Sequence, residues 1–184
     1  MRIATFNING VNTRLAGLLS WLEKAAPDVV CLQELKATGA QFPEAAIRDA
    51  GYHAVWEGEH RWNGVAILSK VGEPVVTRRS LPGDPTDTQS RYIEAAVQGV
   101  LIASLYLPNG NPRPGPKFDY KLAWFGRLIT HAHSLIGTDA PVVLAGDYNV
   151  VPTGADIYNS RSWTRDALLQ PESRAAFGQM LNQG

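Results

Sequence analysis

Apolar positions change their spacing several times along the chain, and each change marks an element. Residues 3–8 read as a strand, after which Leu15, Leu18, Leu19 and Leu22 recur at helical spacing, with Asn12 or Thr13 placed to cap that helix and Pro27 beyond its end. Residues 28–32 form a short continuous apolar run of the kind buried on both faces of a sheet, and it gives way to Gln33 and Glu34. Pro43 suits the first turn of a second helix and Gly51 its end. The period then shortens. Residues 52–57, 64–69, 91–97 and 100–107 read as strands, the last two joined at Gln98-Gly99 as a hairpin. A long helix over 116–136 carries an apolar stripe of Phe118, Leu122, Phe125, Leu128, Ile129, Ala132 and Leu135. A buried strand over 141–145 and a last helix over 171–181 complete the series. Helices alternating with strands early and hairpin-like strands in the middle predict a layered α/β sandwich built on mixed sheets.

Composition narrows this reading only slightly. A chain of 184 residues, 45% hydrophobic and 18% charged, is expected to form a single domain over residues 1–184, and no window is biased enough to read as a linker or a repeat. Seventeen basic residues against 17 acidic ones leave no net charge, so any nucleic-acid contact has to come from a local patch. Cys31 is the only cysteine and lies within an apolar run, which excludes an internal disulfide framework and favours a buried small hydrophobe. The chain opens directly on a strand-like run without a signal peptide's apolar core, and no stretch reaches membrane-spanning length, so a cytoplasmic location is expected.

The candidate chemistry lies where apolar strands end. Asn7, Glu34, Tyr106, Asp147 and Asn149 each follow or close such a run, and in layered α/β proteins ligands gather where the rigid sheet meets solvent. A hard divalent cation needs only one or two carboxylates and an amide from the protein when phosphate and water supply the rest. Glu34 suits the cation, with Asn7 completing its surroundings through the amide oxygen. Asp147 suits holding or activating the attacking water, Asn149 donation to a charged phosphate oxygen, and Tyr106 donation of a proton or positioning of a phosphate. Singly, each has a plain structural explanation in turns or half-buried strands. Their shared placement at strand ends is what suggests one site.

Five segments, in order, resemble the exonuclease III and AP endonuclease branch of the endonuclease/exonuclease/phosphatase superfamily. They are Thr5-Phe6-Asn7-Ile8-Asn9-Gly10, Asp28-Val29-Val30-Cys31-Leu32-Gln33-Glu34-Leu35-Lys36, Gly64-Val65-Ala66-Ile67-Leu68-Ser69, Tyr106-Leu107-Pro108-Asn109-Gly110 and Gly146-Asp147-Tyr148-Asn149. Trp163 and Gln170-Pro171-Glu172-Ser173-Arg174 resemble a further segment of bacterial members. The resemblance implies a four-layer α/β sandwich, two mixed β-sheets flanked by helices. It also implies Mg2+ or Mn2+ dependence, cleavage of double-stranded DNA at abasic sites and trimming of 3' ends. By position it makes Asp147, Asn149 and Tyr106 catalytic, Glu34 and Asn7 metal-binding, and Arg91 and Asn109 DNA-binding.

The same resemblance implies more sequence than these 184 residues hold: further strands of the second sheet, an aromatic-rich loop, another Asp and a terminal Asp-His pair. His53, His60, His131 and His133 match none of these. The expectation is therefore a C-terminally truncated domain with an incomplete second sheet. The strand at 141–145 would be left as an exposed edge through which copies associate. Activity would fall by about 10²- to 10⁴-fold if the absent His acts in proton transfer. Two other readings compete with a repair nuclease: a DNA-binding or assembly module of the same fold without turnover, and a hydrolase of small phosphate esters.

Overall fold

A computed structural model describes residues 1–158 and 163–183. The chain divides into two compact units, one of residues 1–106 and 140–147 and the other of residues 107–139 and 148–184.

The first unit holds both sheets. One contains β1 (Ile3–Asn7), β2 (Val29–Gln33), β3 (His53–Glu57) and β4 (Val65–Ser69) in the order β1-β2-β4-β3. The other contains β5 (Val75–Arg78), β6 (Tyr92–Val97), β7 (Val100–Tyr106) and β8 (Val142–Asp147) in the order β5-β6-β7-β8. Each sheet is mixed, with one parallel pair, β1 with β2 and β7 with β8, and antiparallel pairs elsewhere. The expected mixed α/β class is the observed one.

The strand sequences explain why the sheets stack. Val29 and Cys31 of β2 and Val65 and Ile67 of β4 form one buried cluster with Ile93, Ala95 and Val97 of β6 and Ile102 of β7. Alternate residues of β2 and β4 point the other way: Val30, Leu32, Ala66 and Leu68 pack with Leu18 and Leu22 of α1 (Leu15–Ala25) and Ile47 of α2 (Glu44–Asp49). Both faces of β2 and β4 are thus covered, which is why their sequences run apolar without alternation. Cys31 sits in this interior, where burial pushes its thiol up to about 12 against a weaker opposing hydrogen bond with Ser104. It is a packing residue.

Several features differ from the sequence expectation. Pro43 is the N-cap of α2 and precedes its first turn. Arg14 occupies the N-cap of α1 with no side-chain cap, because Thr13 Oγ1 donates to the Gly10 carbonyl and Asn12 Nδ2 to that of Gln41. β5 was not anticipated: it is a four-residue edge strand whose Val75 is exposed, so it carries no burial pattern to read. β8 runs on through Gly146 to Asp147, and Gly146 is required there. A Cβ at this position would fall 2.0 Å from the Leu105 carbonyl oxygen in the neighbouring strand.

The second unit contains α3 (Pro116–Ile136) and α4 (Pro171–Leu181), which pack on each other. Pro sits in the first turn of both, where its missing N–H costs nothing. The loops after β7 and β8 belong to this unit.

Candidate active site

Strand register brings the candidate residues of the first unit together. Asn7 closes β1 opposite Gln33, the residue before Glu34, and Tyr106 closes β7 opposite Asp147, the end of β8. Asn7 links the two pairs. Its amide nitrogen donates to Glu34 Oε1 at 2.8 Å and to Asp147 Oδ2 at 3.0 Å. Tyr106 donates its hydroxyl to the same Glu34 Oε1 at 2.7 Å, and Lys36 Nζ lies 2.9 Å from Glu34 Oε2. Lys36 also donates to Asn9 Oδ1 at 2.5 Å.

The amide of Asn7 is oriented differently from the sequence expectation. Its oxygen accepts the Asn9 N–H at 3.0 Å, and its nitrogen faces both carboxylates. Exchanging oxygen and nitrogen would set the oxygen against two carboxylates and the NH2 group against an N–H, so the network fixes the orientation. Asn7 thus bridges the acidic groups instead of offering them a third oxygen.

Glu34 adopts a left-handed backbone with φ 54°, and Lys36 and Asn9 do the same with φ 51° and 49°. Such a conformation is uncommon outside Gly, Asn and Asp, and strain of this kind collects at functional sites. It turns Glu34 out of the apolar run of β2, and the Glu34 backbone carbonyl is held by the Gly10 N–H at 2.7 Å.

Electrostatics follow from these contacts. Burial alone would raise the Glu34 carboxyl, but hydrogen bonds from Asn7, Tyr106 and Lys36 and the charge of Lys36 outweigh it, so the net shift is downward. Tyr106 is pushed far above its usual range, first by burial and then by its hydrogen bond to Glu34 and the charge of that carboxylate. At neutral pH the site therefore holds an ionised Glu34 beside a protonated Tyr106. The donor set is hard oxygen, and Glu34 already draws one cationic group, which suits a divalent cation completed by phosphate and water. Among the described residues, no group of three or more His, Cys, Asp or Glu stands placed for a metal.

Arg91 is half-buried and braced on Tyr106. Its guanidinium carbon lies 4.9 Å from the ring centroid, Nη1 donates to the Tyr106 carbonyl at 3.2 Å, and Nε donates to Gln89 Oε1 at 2.7 Å. Asn109 and Asn149 lie in the second unit and contact each other, Asn109 Nδ2 donating to Asn149 Oδ1 at 3.3 Å. Asn149 Nδ2 donates to the Leu107 carbonyl at 2.8 Å, and its backbone is left-handed with φ 46°. The sequence reading passed over Lys36, although it closes one of the family-like segments, and over Lys121, whose ammonium donates to the carbonyls of Asn109 and Asn149.

Residues 4–181 match the model of the Endonuclease/Exonuclease/phosphatase family, and the chain belongs to that family. Exodeoxyribonuclease III of Haemophilus influenzae is 33% identical over 195 residues, an alignment covering all of this chain and 73% of that protein. Two solved structures cover the whole chain: a 3'-5' exonuclease of Neisseria meningitidis, 37% identical with a TM-score of 0.94, and an AP endonuclease of Archaeoglobus fulgidus, 34% identical with a TM-score of 0.93. The chain spans 72% and 71% of those two. Its relatives within the family are thus exonuclease III and AP endonuclease enzymes.

Proposed function

We propose that this chain is a divalent-metal-dependent DNA-repair nuclease, hydrolysing a phosphodiester bond of duplex DNA at abasic sites and trimming 3' ends. The observation that carries this reading is the Asn7 amide, which holds the Glu34 and Asp147 carboxylates against one nitrogen, 2.8 and 3.0 Å away. Glu34 is the residue to hold Mg2+ or Mn2+, which when bound supplies positive charge against the phosphate oxygens. Asp147 accepts a proton from the attacking water as the water's oxygen bonds to phosphorus, and the P–O bond to the leaving strand breaks as the leaving oxygen takes up a proton from solvent. Tyr106, protonated at working pH, turns its hydroxyl from Glu34 Oε1 to a phosphate oxygen when the substrate binds, and Asn149 donates to the charge on the phosphate. Asn7 keeps the two carboxylates apart and in place. Arg91 and Asn109 contact the DNA backbone, Arg91 while supporting the Tyr106 ring.

A duplex carrying one abasic site, incubated with Mg2+, with Mn2+ and with chelator, tests the reading. Cleavage with either cation and none with chelator is expected; equal cleavage in all three would remove the metal. A second reading, DNA binding without turnover, is favoured by the absence of a third metal-ligating side chain around Glu34 and Asp147 among the described residues. Salt-sensitive binding of the same duplex without product at any cation concentration would establish it.

Two further proposals accompany this function. The protein works in the cytoplasm; among the described residues no helix is long and apolar enough to cross a membrane. Enzyme confined to another fraction of the cell would contradict that. Copies associate through β8, which among the described residues pairs only on its β7 side and whose six residues are all half-buried. Sedimentation across a concentration series should show the mass rising; a constant monomer mass would refute it.

A further inference from the structure

Within the second unit, Lys121 stands in the second turn of α3 and is fully buried, at 0% exposure. A buried ammonium is tolerated only when its hydrogens meet good acceptors. Here Nζ donates to the backbone carbonyl of Asn149 at 2.5 Å and to that of Asn109 at 3.1 Å. These carbonyls belong to two different loops, one following β7 and one following β8. The loop after β7 closes tightly on the lysine stem: Gly110 has φ 89°, and a Cβ there would lie 2.7 Å from Lys121 Cδ. The two asparagines then meet through their side chains, and Asn149 reaches back to the Leu107 carbonyl.

A buried charge is an unusual way to join two loops, since a neutral donor would do so without the desolvation cost. An ammonium has a property that suits this place: it draws both carbonyls inward at once, which fixes the left-handed turn at Asn149 (φ 46°) and with it the direction of the Asn149 amide. We propose that Lys121 is a positioning residue for the phosphate-facing asparagines, setting the aim of Asn149 and Asn109 without itself touching the substrate. The inference rests on the role assigned to Asn149 above. It extends that role to a residue that lies outside every family-like segment of the sequence.

The test is a mutant cycle on the full chain with the abasic duplex, in the order Lys121→Met, Asn149→Ala and the pair, with kcat and KM read separately and thermal melting recorded for each. Displacing a catalytic group by about 1 Å costs about 10²-fold in rate. Lys121→Met is therefore expected to lower kcat by about 10²-fold with KM nearly unchanged. In the Asn149→Ala background the same substitution should then lower kcat by less than about 3-fold, because residues acting through one another are not additive. Lys121→Arg, which keeps the charge and several donors, should recover part of the loss. The side-chain amide resonances of Asn109 and Asn149 should move in Lys121→Met while that of Asn7 stays in place. An equal loss in both backgrounds, or parent kcat in a folded Lys121→Met protein, overturns the proposal. If Asn149→Ala alone keeps parent activity, the role given to Asn149 fails first, and the inference with it. Should Lys121→Met not fold, Lys121→Gln, which lacks the charge and keeps an N–H donor pair, is read in the same cycle with the same outcomes.

Discussion

Asp147→Asn folds as the parent does and loses about 10²- to 10⁴-fold in the rate of abasic-site cleavage, the range that a general base contributes. The expectation of a normal fold comes from the contacts. Asp147 ends β8 in register with Tyr106, and its Oδ2 accepts from the Asn7 amide at 3.0 Å. An asparagine of nearly the same shape can turn its own amide oxygen to that donor, so the bridge survives and the negative charge does not. Binding of the duplex should tighten or stay level, because a carboxylate near the phosphate has gone. Single-turnover cleavage beside a melting curve checks both halves. A folded variant at the parent rate would mean that Asp147 takes no proton.

Glu34→Gln has the second large effect, and it falls on the response to cation. The parent carboxylate is gripped by Asn7, Tyr106 and Lys36 and stays ionised below the usual carboxylate range. Glutamine keeps an oxygen for Asn7 and Tyr106, removes the charge, and sets its own NH2 group against the Lys36 ammonium. Even partners outside the first coordination sphere cost about 10- to 100-fold in metal affinity when lost, so the cation needed for half-maximal cleavage should rise by at least that factor. Stability changes with pH in the same direction. A carboxyl lowered in the folded state stabilises the protein above its unfolded value, and that contribution is lost as pH falls through the lower folded value. The parent should therefore show an acid-side loss of melting temperature that Glu34→Gln lacks. Identical cation and acid responses in the two proteins would take Glu34 out of the ligand role.

Much of this arrangement can be read along the chain, and the part that cannot has a definite cause. The strand runs are legible because β2 and β4 are buried on both faces and so contain little but apolar residues until they end. That ending exposes Glu34 to view, as it does Asn7 and Asp147. The direction of the Asn7 amide is not legible, since it depends on a left-handed turn at Asn9 that brings a backbone N–H onto its oxygen. Lys121 is hidden for a different reason. The expected apolar stripe of α3 ran through Leu122 and Ile129, but both are only half-buried, and the buried face includes Lys121, Trp124 and His131. A lysine among polar neighbours on an amphipathic helix reads as solvated, and only the loops closing over it show otherwise. β5 escaped because an exposed edge strand leaves no apolar pattern.

The proposed mechanism stands or falls on whether Glu34 holds a metal ion. Calorimetric titration of Mn2+ into the parent, Glu34→Gln and Asp147→Asn proteins, without DNA, measures that directly. One site in the parent, weakened about 10- to 100-fold or lost in Glu34→Gln, is the expected result. Equal Mn2+ affinity in all three proteins would contradict it.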